Sequence, residues 1–262
     1  MKVTGRHVLI TGASRGIGFA LARECLARGA RVTVLASNAD RLAKAAAELG
    51  GTPLVANLAD LDRVAEVLPE AEALHGPVDV LVNNAARMGM GPLARLDATT
   101  LREVLTTNFL APAELSRAAA AAMVERRAGV IVAVSSLAGE MALRNVPAYG
   151  SSKAGLSYLT RALQRELAGT GVLAQLVLLG GVDTELLREN HADPVAGPAS
   201  ARLAKVVPVP SAEVVGRRIA DHIESGRRRT LVLPAAAIGA VGLRHSLTSL
   251  SDLLLKGLPR SL

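Results

Sequence analysis

The stretch that most constrains this chain is Thr11-Gly12-Ala13-Ser14-Arg15-Gly16-Ile17-Gly18. It follows His7-Val8-Leu9-Ile10, an apolar run that predicts a short buried strand. It opens the helical pattern Phe19-Ala20-Leu21-Ala22-Arg23-Glu24-Cys25-Leu26. A strand, a glycine turn and a helix start form a cradle for a phosphate. Glycine lets the backbone approach an anion closely, and the unpaired N–H groups of the helix N-terminus point at it. Such a turn also serves as a plain connector, so its meaning depends on what the chain places beside it.

Strand and helix signals alternate along the chain. Arg31–Leu35, Pro53–Ala56, Val78–Val82, Gly129–Val134, Val172–Leu178 and Arg229–Leu233 read as further strands. Ala39–Leu49, Asp60–Leu74, a long segment from Thr100 to Arg127, Ala148–Leu167 and Ser211–Glu224 read as helices. Asp60 and Ser211 suit N-caps, and Gly50-Gly51 suits a helix stop. Pro112 predicts a kink or boundary inside the long helix. The alternation predicts βαβ units with right-handed crossovers. The result is an α/β fold: a doubly wound parallel sheet of about seven strands with helices on both faces. A length of 262 residues fits one large domain. The pattern breaks over residues 185–210, where Pro194, Pro198, Pro208 and Pro210 suggest a mobile loop or short helices. Residues 235–262 form an apolar tail with Leu247, Leu250, Leu254 and Leu258 at helical spacing.

Composition removes several functions. Two Tyr, two Phe and no Trp leave little aromatic surface for stacking on bases. The net charge of +7 is spread over small clusters such as Arg227-Arg228-Arg229, and no nucleic-acid motif accompanies it. The lone Cys25 excludes an internal disulfide and a multi-cysteine metal site, and no metal site is expected. The N-terminus has no long apolar segment and no run of 18 apolar residues occurs, which predicts a cytoplasmic protein without a membrane span. The leucine stripe of the tail fits packing on the protein or on another subunit. With Arg244, Lys256 and Arg260 it also allows the weaker idea of contact with a membrane surface.

Tyr149 and Lys153 stand four apart, on one face of the predicted helix. An ammonium beside a phenol favours the phenolate and lowers the Tyr pKa from about 10. Tyr149 then becomes a usable general acid or base. Taken alone, such a pair is better read as a surface Lys beside a half-buried Tyr. It is not alone. The glycine turn, Asn83-Asn84 and Ser135-Ser136 all fall at carboxyl ends of predicted strands, where parallel sheets bind ligands. Tyr149 opens the helix that follows Ser136.

In order and spacing, Thr11–Gly18, Asn83-Asn84-Ala85, Asn108, Ser136, Tyr149 and Lys153 resemble the short-chain dehydrogenase/reductase family over roughly the first 185 residues. The resemblance implies a Rossmann-type domain and an oxidoreductase that interconverts a carbonyl and an alcohol with a nicotinamide cofactor. It implies that Tyr149 transfers the proton and that Ser136 hydrogen-bonds the substrate oxygen. Lys153 would lower the Tyr149 pKa and bind the nicotinamide ribose, and Asn108 would hold a water linking Lys153 to solvent. Cofactor contacts would fall to Gly12, Ser14, Arg15, Gly16, Ile17 and Gly18, to Ser37 and Asn38, and to Asn57 and Leu58. Asn84, Ala85, Tyr149, Lys153, Val182 and Thr184 would complete them.

The chain departs from the family pattern at three places. Asn57 stands where an Asp usually contacts adenine, Ala86 where a glycine usually follows Asn-Asn-Ala, and Gly180-Gly181 where Pro-Gly is usual. An acid after the second strand would favour NAD(H), and Leu35-Ala36-Ser37-Asn38 holds none. Arg15 can meet a 2′-phosphate, with hydrogen bonds from Ser37 and Asn38 and charge from Arg41. NADP(H) is therefore favoured, with NAD(H) possible.

Substrate identity should lie in Arg87–Leu93 and Glu185–Pro210. Met88, Met90, Leu137, Leu186 and Leu187 suggest an apolar wall, although ordinary loop packing explains the methionines equally well. Arg87, Arg144 and His191 read as loop residues. The expected partner is a small, apolar carbonyl or alcohol substrate. The resemblance adds a homodimer or homotetramer through the helices at 100–127 and 148–167. A nucleotide-bound sensor or interaction protein on the same fold is the alternative, and Ser136, Tyr149 and Lys153 speak against it.

Overall fold

In the computed structural model, residues 1–185, 187–188 and 209–239 are described. The strands are β1 (His7–Thr11), β2 (Arg31–Ala36), β3 (Thr52–Val55), β4 (Val80–Asn83), β5 (Gly129–Ser136), β6 (Val172–Leu179) and β7 (Leu231–Leu233). They form one parallel sheet in the order β3-β2-β1-β4-β5-β6-β7. The helices are α1 (Gly16–Ala27), α2 (Ala39–Leu49), α3 (Leu61–His75), α4 (Ala98–Leu105), α5 (Ala111–Glu125), α6 (Pro147–Glu166) and α7 (Ala212–Ser225). The doubly wound fold expected from the alternation is therefore the observed one.

Every residue of β1 is buried, as a strand covered on both faces requires. Side chains alternate between two cores. Val8, Ile10, Val32, Val34, Val80, Val82, Val130 and Val132 pack against Leu21 and Cys25 of α1, Leu42 of α2 and Val215 and Ile219 of α7. Leu9, Leu35, Leu81 and Ile131 face Val64, Val67 and Leu68 of α3 and Leu115, Ala119 and Met123 of α5. Leu156 of α6 packs on Ala133, Leu176 and Leu178. With all polar connections excluded from these faces, loops gather at the two ends of the strands.

Local signals explain the helix ends. Asn38 Oδ1 accepts the Arg41 amide at 2.8 Å to start α2, and Gly50 ends it at φ +74°. Asp60 and Ser211 cap α3 and α7. The long helix expected from Thr100 to Arg127 is continuous helical backbone from Ala98 to Glu125, in which a π-helical turn, Thr106–Leu110, joins α4 to α5. Pro112 closely follows this wider turn, which accommodates its missing N–H, so the irregularity lies just before it. Leu186, His191, the tail leucines, Arg244, Lys256 and Arg260 fall outside the described residues.

Met123 is fully buried and lies against Gly129, where it closes the α5 side of the core. Met123→Ala should lower unfolding stability by about 2–5 kcal/mol. Leu74→Ala, at a 44% exposed site, should stay within about 0.5 kcal/mol of the parent. Urea unfolding of both variants measures this. Equal midpoints would contradict the assigned core.

Candidate active site

The glycine turn is sewn to the loop after β4. The amides of Asn84 and Ala85 both donate to Thr11 Oγ1 at 3.0 Å. Asn84 Nδ2 donates to the carbonyls of Thr11 (2.9 Å) and Gly12 (3.2 Å). Gly12 has φ +67°, and a Cβ there would lie 2.7 Å from Ala85 Cα. A Cβ on Gly18 would press into the Gly12 carbonyl and come within 2.6 Å of Asn84 Nδ2. Packing thus requires these glycines as much as any ligand does. The expected roles of Asn84 and Ala85 sharpen accordingly: their polar groups hold the turn.

What the turn presents is an uncapped helix. Arg15 occupies the N-cap position of α1 with extended backbone, no side-chain cap and no acid in the first turn. The first amides of α1 and its positive dipole end are left for an anion. A phosphate-bearing cofactor fits this donor set. The other expected contacts ring the same edge of the sheet. Ser37 is exposed after β2, and Asn38 caps α2 through Oδ1, which leaves Nδ2 as a donor. Asn57 Oδ1 accepts the Ala59 amide at 3.1 Å, while the Leu58 side chain turns into the core. Val182 is buried. Ile17 packs on the core beside α1, and Ser14 is half-buried in the turn. Thr184 Oγ1 donates to the Val182 carbonyl and its methyl faces Gly16.

The groups expected to handle the proton lie at the end of β5 and the start of α6. Ser136 Oγ accepts the Ala138 amide at 3.1 Å. Lys153 is buried, donates to the Val134 carbonyl at 2.9 Å, and sits 5.8 Å from the Tyr149 ring centroid. Burial pulls its pKa down to about 8. Tyr149 is half-buried by surface area but deeply enclosed. Burial pushes its pKa up, and nearby Ser136 only partly offsets that. Desolvation sets the direction for the phenol, and the Lys153 ammonium is held at the Val134 carbonyl.

Asn108 is fully buried in the π turn. Its Oδ1 accepts the Arg87 amide at 2.7 Å, and its Nδ2 donates to the Arg87 carbonyl (2.8 Å) and Ser152 Oγ (3.0 Å). Ser152 Oγ in turn donates to the Tyr149 carbonyl at 2.7 Å. The side chain ties the loop after β4 to the first turn of α6, and none of its bonds reaches Lys153.

Sequence reasoning missed the supports. Ser135 Oγ donates to the Lys153 carbonyl and bonds Ser157 Oγ, both at 2.9 Å. Glu140, with a 2% exposed side chain, pairs with Arg161 at 2.6 Å and pins the turn that follows Ser136. A lone Glu and scattered serines carry no spacing signal. Arg87 is paired with Glu103 at 2.7 Å, so it belongs to an ion pair. Met88 and Met90 are half-buried, and Leu137 packs on the core beside α6. Among the described residues no cluster of metal-binding side chains occurs, and no helix is long and apolar enough to cross a membrane.

Residues 6–194 match the short chain dehydrogenase family model. A 3-oxoacyl-acyl-carrier-protein reductase of Salmonella typhimurium is 34% identical over 199 residues, 75% of this chain and 82% of the relative. A 3-ketodihydrosphingosine reductase of Bos taurus is 35% identical over 74% of this chain and 62% of its own length. Among solved structures, one from Beutenbergia cavernae, assigned as an NAD(P)-dependent gluconate 5-dehydrogenase, carries NADP at low occupancy. It aligns with TM-score 0.78 and 34% identity over 88% of this chain and 96% of that one. A metagenomic short-chain oxidoreductase in complex with NADP aligns with TM-score 0.65 and 36% identity, over 70% of this chain and 85% of that one.

Burial of Lys153 has a thermodynamic signature. The unfolded chain holds the Lys153 proton more tightly than the folded one. Relative to Lys153→Met, the parent should therefore gain stability as pH rises through the folded value of about 8 toward the free-lysine value near 10.4, by on the order of 3 kcal/mol. Urea unfolding of both proteins at pH 7.5 and pH 10 measures this difference, and a pH-independent difference would contradict the assignment.

Proposed function

Because the chain belongs to the short-chain dehydrogenase family of oxidoreductases, we propose that it interconverts a carbonyl and an alcohol by NADP(H)-linked hydride transfer, with Tyr149 moving the proton. The observation that carries this reading is the placing of Ser136, at the end of β5, and Tyr149, one helical turn from buried Lys153, on the sheet edge that bears the uncapped start of α1. When bound, the nicotinamide ring supplies or accepts the hydride.

In reduction, Ser136 Oγ donates to the substrate carbonyl oxygen and stabilises the charge that develops there. Tyr149 gives its phenolic proton to the same oxygen as the carbon takes the hydride, so the C=O bond becomes CH–OH. A phenol held protonated by burial suits that donation. Lys153, with a pKa of about 8, is mostly charged at neutral pH and stabilises the phenolate that remains. In oxidation the same groups act in reverse.

The first amides of α1 would hold the pyrophosphate, and Lys153 the nicotinamide ribose. Asn57 would meet adenine, and Arg15, Ser37, Asn38 and Arg41 the 2′-phosphate. The absence of an acid at Ser37-Asn38, directly after β2, and the NADP in two neighbouring structures support NADP(H) over NAD(H). The names of the two relatives share a 3-oxo group on a long or carrier-bound chain. A 3-oxoacyl compound is the substrate class we infer, and half-buried Met88 and Met90 offer adaptable apolar surface for it. Exposed Leu110, Val124 and Tyr158 on the π turn, α5 and α6 support a homo-oligomer through these helices.

Tyr149→Phe should lower NADPH-dependent reduction of a 3-oxoacyl thioester by roughly 10²–10⁴-fold. NADPH affinity, read by fluorescence titration, should stay near that of the parent. Retained turnover, or lost cofactor binding in place of lost turnover, would sink the assignment.

A further inference from the structure

Arg15 already has an anionic partner. Its Nη1 donates to Glu185 Oε2 at 2.5 Å, which ties the glycine turn after β1 to the segment after β6. Thr184, next to Glu185, lies with its methyl against Gly16, so the two segments touch at neighbouring residues. Arg41 of α2 and Arg188 add to the field around this carboxylate. Together with the Arg15 hydrogen bond they hold Glu185 below the usual carboxylate range. Arg188 has a second carboxylate, Asp183, at 3.5 Å. Arg15 and Arg41 are also the cations assigned above to a 2′-phosphate.

We propose that Glu185 is a specificity-determining residue: its carboxylate engages Arg15 in the free protein and competes with the 2′-phosphate of NADP(H) for that guanidinium. The inference rests on the NADP(H) reading of Arg15. A guanidinium fork accepts a carboxylate or a phosphate in the same planar geometry. The pair is open to water, with side chains 33% exposed for Arg15 and 59% for Glu185. An ion pair so exposed holds weakly and exchanges readily. A phosphate monoester brings up to two charges and three acceptor oxygens, so it displaces the carboxylate. The displacement reduces NADPH affinity by the strength of the lost pair. NADH has no 2′-phosphate and leaves the pair in place. Glu185 thus narrows the preference for the phosphorylated cofactor, chiefly through Arg15.

The test is a fluorescence titration of the full chain with NADPH and with NADH, in the parent, Glu185→Gln, Arg15→Gln and the double variant. Glu185→Gln should bind NADPH about two- to fivefold tighter, the range expected for an exposed pair, with NADH affinity unchanged. Arg15→Gln should lose roughly tenfold or more in NADPH affinity and little in NADH affinity. In the Arg15→Gln background, Glu185→Gln should have little further effect.

Three results would overturn the inference. Glu185→Gln could leave NADPH affinity at the parent value, or shift both cofactors equally. Its tightening could also persist without Arg15, which would make it a general charge effect. In each of these cases a loss on Arg15→Gln would still uphold the NADP(H) reading. Unchanged NADPH affinity in Arg15→Gln would instead remove that reading, and the competition with it.

Discussion

The bond set that joins β1 to β4 at their carboxyl ends organises the rest of the molecule. Here the order of strands reverses, with β2 and β3 on one side and β5 to β7 on the other. An open parallel sheet forms its ligand crevice at such a point. Thr11 Oγ1 takes two amides from the β4 loop, and Asn84 Nδ2 returns two bonds to the turn. The two loops approach so closely that Gly12 and Gly18 admit no side chain. This leaves the N-terminus of α1 rigid, uncapped and facing the crevice, ready for an anion.

The second half of the site is built by burial. Ser135 and Ser157 fix α6 against β5, Asn108 and Ser152 fix its first turn to the loop after β4, and Glu140 with Arg161 pins the turn after Ser136. Enclosed in this way, Tyr149 is pushed toward its neutral form and Lys153 toward losing its proton, in both cases because burial penalises charge. Two groups whose ordinary pKa values nearly coincide are thereby separated. The phenol is set to hold a proton, while the ammonium remains available to stabilise a phenolate.

Much of this was legible before the structure. The β-branched runs and capping residues mark the strands and helices to within a few residues. The glycine turn and Ser136 point to the candidate site because each lies at the carboxyl end of a strand, and Tyr149 and Lys153 because they open the helix that follows Ser136. What stayed hidden depended on contacts between distant segments. Pro112 marks an irregularity but not its kind, since the π turn lies before it and exists to bury Asn108. Most partners of Asn108 and Asn84 are backbone groups of other loops, which have no residue signature. A spacing of four shows that Tyr149 and Lys153 share a face, but not that Nζ donates to the Val134 carbonyl or how deeply both groups are buried. Glu185 was legible only as a loop residue, because its partner lies 170 positions away.

The central claim is that this sheet edge moves a hydride to a carbonyl carbon and a proton to its oxygen. Product analysis after reaction with NADPH deuterated at the transferred position of the nicotinamide tests it most directly, with a 3-oxoacyl thioester as substrate. The account predicts one deuterium on the new carbinol carbon, with the hydroxyl proton drawn from solvent through Tyr149. NADPH consumed without deuterium in the product, or no NADPH consumed with any carbonyl compound, would contradict it.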